Sequence, residues 1–335
     1  MKVRSTRRAM ALVGVMALLV AACGDDDDGG DAQAGGDEGG DTTAAEELTT
    51  IEVGVVPVVD VAPLYLGIQQ GFFEEEGLDV QPAIAQGGAA IIPAVVNGDQ
   101  EIGFSNIVSL LIGQIEGLPV QVISQGIQAT DEPDNDTAAI AVPADSDIQE
   151  PADLEGKTIA INTLRNISEL TVKAALDGEG VDTSTLNFVE VPLPDMVGQL
   201  EAGQVDAAGL VEPFITTGKG AGHRMIIYDR VATEPEMTIA TYFTSTQFLE
   251  SDPDVVEGFV RAMNRSLEYA TENADQARQA IAEYTEIPPD VLEQVVLPLW
   301  QTDLNQDSIE LIAELMVTHG IAEEQADVDA LIADL

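Results

Sequence analysis

From Ile51 onward, short apolar runs alternate with stretches in which apolar residues recur every three or four positions. That alternation admits few architectures. A strand followed by a helix and then by another strand builds a largely parallel sheet with helices on its faces, so the chain reads as α/β. The stretch 51–335 also exceeds the roughly 100–200 residues of a single domain, and two lobes follow.

The spacing predicts, for the first lobe, strands over 51–56, 78–83, 101–104 and 120–126 and helices over 63–70, 88–97 and 107–116. An acidic turn over 131–136 leads into an extended apolar run, 138–142, expected as a first crossing. The second lobe repeats the pattern, with strands over 158–161, 188–191, 206–210 and 224–228 and helices over 167–176, 195–202 and 213–218. A return crossing is expected over 238–243. Helices over 253–272, 275–283, 289–296 and 308–319 would then pack on the first lobe. The expected division is therefore 51–137 plus 244–335 for lobe 1 and 138–243 for lobe 2.

The first 47 residues have a different character. Lys2, Arg4, Arg7 and Arg8 precede an apolar stretch from Ala9 to Ala22, the basic head and short core of a secretory signal. The stretch ends at Cys23-Gly24 and a run of four aspartates, short of the about 20 apolar residues that a membrane span needs. Val20-Ala21-Ala22-Cys23 resembles the bacterial lipobox, which makes 1–22 a signal peptide and Cys23, the one cysteine of the chain, a lipidation site. Acyl chains on Cys23 would hold the protein on the extracytoplasmic face of the membrane. Residues 23–47, rich in Gly, Asp, Ala, Thr and Glu, read as an acidic disordered tether.

Charge excludes one partner class. The chain carries 60 acidic and 13 basic residues, and loss of the four basic residues of the leader moves its formal charge from −47 to −51. Such a surface repels phosphate backbones, so nucleic acid is not a partner. The same excess is expected of a protein that works in high salt, where screening relieves self-repulsion.

Four segments carry a family likeness: "APLYLGIQQGFFEEEGLDV" (62–80), "GGAAIIPAVVNGDQEIGFSN" (87–106), "LEGKTIAI" (154–161) and "VPLPDMVGQLEAGQVDAAGLVEPF" (191–214). In this order they resemble the solute-binding lipoproteins of ABC importers of the nitrate, sulfonate and taurine type, and also the thiamine-pyrimidine-precursor binding proteins. The resemblance implies a two-lobed periplasmic-binding-protein fold of type II, with two crossover segments and C-terminal helices packed on lobe 1. It also implies a monomer that captures a small-molecule ligand and passes it to a permease. An oxyanion such as a sulfonate or nitrate is the expected cargo; a pyrimidine precursor or similar heterocycle is the alternative.

Ligands of open α/β sheets sit beyond the carboxyl ends of the strands, which selects the candidate contacts. After the first strand come Asp60, Val61, Ala62 and Tyr65; after the second, Gln86, Gly87 and Gly88; after the third, Ser105 and Asn106. The second lobe offers Asn162, Thr163, Arg165, Asn166 and Ser168, together with Glu212 and, on the return crossing, Tyr242. No Lys or Arg lies between Arg8 and Lys157, so Arg165 is the basic residue expected to face an anion. Asp60, Ser105 and Asn106 could equally cap helices, Glu212 could hold a helix start or the hinge, and Tyr242 could be core. A pyrimidine-synthase-like enzyme and a ligand-presenting sensor are rival functions of the same fold. His223 and His319 stand far apart and Cys23 is committed to the anchor, so no catalytic or metal site is expected, and no cofactor.

Overall fold

The computed structural model describes residues 48–335, so the expected signal peptide, Cys23 and the expected tether lie outside the described residues. The first lobe is built on a five-stranded sheet of β1 (Thr49–Val55), β2 (Leu78–Ile84), β3 (Ile102–Asn106), β4 (Val120–Gln128) and a strand from far along the chain. The second sheet holds β5 (Ala138–Val142), β6 (Thr158–Ile161), β7 (Asn187–Glu190), β8 (Ala207–Val211) and β9 (Arg224–Ile227). The returning strand of the first sheet is β10 (Thr238–Ser245). The orders are β2-β1-β3-β10-β4 and β7-β6-β8-β5-β9, the same plan twice.

Each sheet contains one antiparallel strand. β10 lies antiparallel between β3 and β4, and β5 lies antiparallel between β8 and β9. The runs expected as crossings thus lie in strands inside the sheets, and all thirteen residues of those two strands, Ala138–Val142 and Thr238–Ser245, are buried. This corrects the expected lobe boundary, since Thr238–Phe243 belongs to the first sheet. The chain passes between the sheets instead in 129–137 and 228–237, outside the strands. Both faces of these strands are covered, which is why neither run alternates in sequence, and β10 buries Thr238, Thr241, Thr244 and Ser245 beside its apolar residues.

The two crossing segments are stitched to each other. The Asp136 carboxylate accepts hydrogen bonds from the backbone N–H of Thr130 (3.1 Å), Thr137 (2.7 Å) and Val231 (2.9 Å). Ala129 N–H donates to the Met237 carbonyl at 2.9 Å. A buried carboxylate with this many donors is held where it is.

The helix Pro253–Glu272 presents Val256, Phe259, Met263, Leu267 and Ala270 at helical spacing, all buried against the first lobe. Gly67 on the helix Ala62–Gln69 makes that contact close, because a Cβ there would collide with Ser266. The helix expected over 289–296 spans only Pro289–Leu292, and short helices at Phe72–Glu75 and Asp229–Thr233 were not foreseen.

Candidate functional site

Between the sheets, at the carboxyl ends of their strands, lies a narrow cleft. Asp60, Gly87, Gly88, Asn106, Asn162, Asn166 and Ser168, all expected at the site, line it together. Its apolar walls are Val56, Val58, Phe104, Ile167, Leu193, Val211, Ile239 and Ala240.

Local structure explains each polar position. Gly87 and Gly88 open the helix Gly88–Asn97 with no side-chain cap, so its first N–H groups are left for a ligand. Gly88 must be glycine: a Cβ would strike Ser105 Oγ and lie 2.8 Å from Ser105 Cα. Ser105 is accordingly fully buried behind the cleft wall, where its hydroxyl meets the Asn106 carbonyl at 3.3 Å.

Asn106 caps the helix Ile107–Ile115, its Oδ1 accepting from Ser109 N–H at 3.0 Å, and the same oxygen accepts from Ile167 N–H of the other lobe at 3.3 Å. Asn166 caps the helix Ile167–Gly178 through Glu169 N–H (3.1 Å) and donates its amide to Asn162 Oδ1 (2.8 Å). Both residues are helix caps and cleft residues at once.

Asp60 caps nothing. It sits in a single 3-10 turn, Val59–Val61, is 5% exposed, and makes no side-chain bond to either helix start. Burial pushes its carboxyl above the ordinary aspartate value, while Arg230 pulls it back down.

Arg230 is the residue that the sequence reading did not single out. It lies on the short helix Asp229–Thr233 in the second crossing, is 4% exposed, and lines the cleft. Its Nη1 donates to Thr137 Oγ1 at 2.9 Å. Of the carboxylates near it, Asp136 accepts from three backbone N–H groups, and Asp229 accepts from Thr171 Oγ1 at 2.6 Å through Oδ2 while its Oδ1 is buried without a partner. None of the five ion pairs among the described residues includes Arg230.

The remaining expected residues stand apart from this cavity. Arg165 leaves its loop in the left-handed region (φ 54°) and turns away, with Nε and Nη2 both 3.2 Å from the Ile321 carbonyl. It borders a separate recess with Glu116, Glu323 and Glu324. Gln86 and Thr163 line a side recess between the lobes. Val61 and Ala62 are core, and Tyr65 stacks on Tyr284 with centroids 4.2 Å apart. Tyr242 is buried among Phe104 and Phe259, while Ile239 and Ala240 are the β10 residues that reach the cleft. Glu212, fully buried, accepts from Thr216 N–H (3.1 Å), Thr216 Oγ1 (2.9 Å) and, from the other lobe, Val296 N–H (3.2 Å). It ties the lobes beside the cleft and does not line it.

Among the described residues no helix is long and apolar enough to cross a membrane, and no three His, Cys, Asp or Glu side chains are grouped to hold a metal.

Known proteins resemble the chain along most of this unit. The family profile described as NMT1/THI5 like matches residues 58–277. The formylaminopyrimidine-binding protein of Halalkalibacterium halodurans is 23% identical over 282 residues, covering 81% of this chain and 79% of that protein. The taurine-binding periplasmic protein of Escherichia coli is 23% identical over 191 residues, 57% of each. In three dimensions, the alkanesulfonate-binding protein of Xanthomonas axonopodis pv. citri bound to MOPS superimposes with a TM-score of 0.71 at 17% identity, covering 86% of this chain and 99% of that one.

Proposed function

The chain belongs to the NMT1/THI5-like family, and from that premise we propose that it is the extracytoplasmic solute-binding component of an ABC importer. The observation that carries this reading is the cleft between two sheets of matching order, with a buried, unpaired Arg230 and an uncapped helix start at Gly88 facing its interior. A guanidinium and free backbone N–H groups together form a site for an anionic group, so the cargo is a small oxyanion-bearing solute such as a sulfonate or nitrate. The taurine and alkanesulfonate relatives support that class.

The lobes open and close about the paired crossings, and the protein hands its cargo unchanged to a permease. It works as a monomer, without metal or cofactor and without catalysing a reaction. Signal 1–22 exports it and lipid on Cys23 holds it at the membrane, which raises its effective concentration beside the permease. The lobes are 48–128 with 238–335, and 138–227, the crossings lying between them.

A second reading has its own support. The formylaminopyrimidine-binding relative covers four-fifths of the chain, and a nitrogen heterocycle would also find a partner in Asp60. A thermal-shift screen in molar salt with nitrate, ethanesulfonate and a formylaminopyrimidine decides between them. A ligand at 100 times its Kd adds about 2.7 kcal/mol of stability. The bound compound is recovered unchanged; its chemical conversion would make the protein an enzyme and end the proposal.

A further inference from the structure

The second crossing carries a charge imbalance beside the cleft. Among the described residues, Arg230 is the one cation that acts on both Asp60 and Asp229, and Asp136 acts on both as well; all four side chains are buried. With the three carboxylates ionised this group already holds an excess of negative charge, and an anion on Arg230 would add to it, a costly arrangement unless a proton offsets it. The hydrogen bonds show which acid has room for that proton. Asp136 uses both oxygens on backbone N–H groups, Oδ1 for Thr130 and Thr137 and Oδ2 for Val231. Asp229 keeps Oδ1 buried without a hydrogen-bond partner, and its Oδ2 lies 2.6 Å from Thr171 Oγ1. Thr171 Oγ1 is also 3.0 Å from the Ile167 carbonyl, and a hydroxyl has a single hydrogen to give. With Asp229 ionised, one of these two acceptors goes without. With a proton on Oδ2 the chain closes: Asp229 donates to Thr171 Oγ1, Thr171 donates to the Ile167 carbonyl, and both distances are ordinary for O–H···O bonds.

Burial is the main cause that raises the Asp229 carboxyl to about 6; Thr171 and Arg230 pull it down, and Asp136 pushes it up. The helix Asp229–Thr233 packs on the helix Ile167–Gly178, which presents Thr171 to it, and on β5, which is apolar throughout. An anion bound at Arg230 cancels the one positive influence on Asp229 and adds its own repulsion. The proton affinity of Asp229 therefore rises when the cleft fills, and by reciprocity the affinity for the anion rises when Asp229 is protonated. We propose that the anionic cargo enters together with a proton, taken from water by Asp229, which makes Asp229 a positioning residue that sets the affinity of Arg230 for the cargo and ties it to pH. This rests on the oxyanion reading above and adds its regulation. Binding is tightest below about pH 6, where Asp229 is protonated before the cargo arrives, and weakens as the pH rises past that value. Asp60 lines the cleft itself and is the competing acid.

The test is a calorimetric titration of the full chain, in detergent and molar salt, with ethanesulfonate and with nitrate, anions that do not themselves titrate between pH 5 and pH 8. A neighbouring charge changes the proton affinity of a carboxyl by about tenfold at the low end of its range, so the anion binds about tenfold tighter at pH 5 than at pH 8. At pH 6.5, in buffers of different ionisation enthalpy, binding takes up about half a proton. Asp229→Asn, neutral at every pH, binds at pH 8 about as tightly as the native chain does at pH 5, and its own ratio between the two pH values falls to within about twofold. Asp60→Asn changes the affinity and keeps the ratio. Binding without proton uptake, an unchanged ratio in Asp229→Asn, or a ratio lost in Asp60→Asn overturns the coupling at Asp229 and leaves the oxyanion reading standing. The proton count needs no variant, so it decides even where Asp229→Asn does not fold. Binding of neither anion at either pH overturns the oxyanion reading and the coupling with it.

Discussion

Arg165→Ala separates a ligand contact from a lobe contact. The Arg165 guanidinium donates twice to the Ile321 carbonyl, which follows the helix Gln306–Thr318 of the other lobe, and it lies outside the cleft. Hydrogen bonds of a charged donor contribute about 1.5–3 kcal/mol when well buried. Arg165 is exposed, both bonds share one acceptor, and each is long at 3.2 Å, so about 1 kcal/mol is the appropriate figure. Arginine and alanine both sit in the left-handed region at a cost, so the comparison isolates the side chain. In an open form water replaces these bonds, and the whole 1 kcal/mol then bears on closure. The expected result is a fall in affinity of about fivefold, equal for a ligand and for an analogue with a different head group. Calorimetric titration of both compounds measures it. An unchanged affinity, or a loss falling on one compound by more than about threefold, would refute the assignment of Arg165 to closure.

Three further perturbations follow from the same geometry. Gly88→Ala sets a Cβ against Ser105 Cα at 2.8 Å, where no rotamer can yield, and costs about 1–3 kcal/mol in urea unfolding; Gly87→Ala meets side-chain atoms alone, Thr163 Oγ1 at 2.9 Å and Asn162 Nδ2 at 3.5 Å, and costs much less. Equal stabilities of the two would contradict the cleft geometry. Burial raises the Asp229 carboxyl to about 6, so the folded state holds this proton more tightly than the unfolded state, and this group lowers stability as pH rises from about 4 to 6. Asp229→Asn should therefore stabilise the protein by up to about 3 kcal/mol at pH 8 and by almost nothing at pH 4, and a gain independent of pH would dismiss the buried-acid explanation. Cys23→Ser should release the protein from membranes into the soluble fraction; retention on membranes would rule out the lipid anchor.

The α/β alternation and most strand positions were legible because they rest on local periodicity, which the fold preserves. The helix Gly88–Asn97 runs over the expected residues, since its glycine start and Gly98 stop are both local signals. The crossings were misplaced for a physical reason. Thr238–Phe243 shows no alternation because it is buried in a sheet on both faces, and nothing local distinguishes such a strand from an extended connection. Seven expected cleft residues meet in one cavity because each follows a strand at the same sheet edge, a rule of topology. Arg230 escaped notice because its role depends on two crossings brought side by side, Thr137 on one and Arg230 on the other, 93 residues apart. Arg165 misled because a long side chain on a loop can turn to either side, and its direction is fixed by a carbonyl 156 residues away.

The measurement that bears most directly on the cleft is a crystal structure of the chain with whichever compound stabilises it in the thermal screen. The expected result is one ligand between the sheets, with an oxygen of its anionic group within hydrogen-bond distance of the Arg230 guanidinium and another part of the molecule against the Gly87–Gly88 helix start. A ligand seated in the Arg165 recess beside Glu323, or anywhere else with the space around Arg230 left to water, would contradict it.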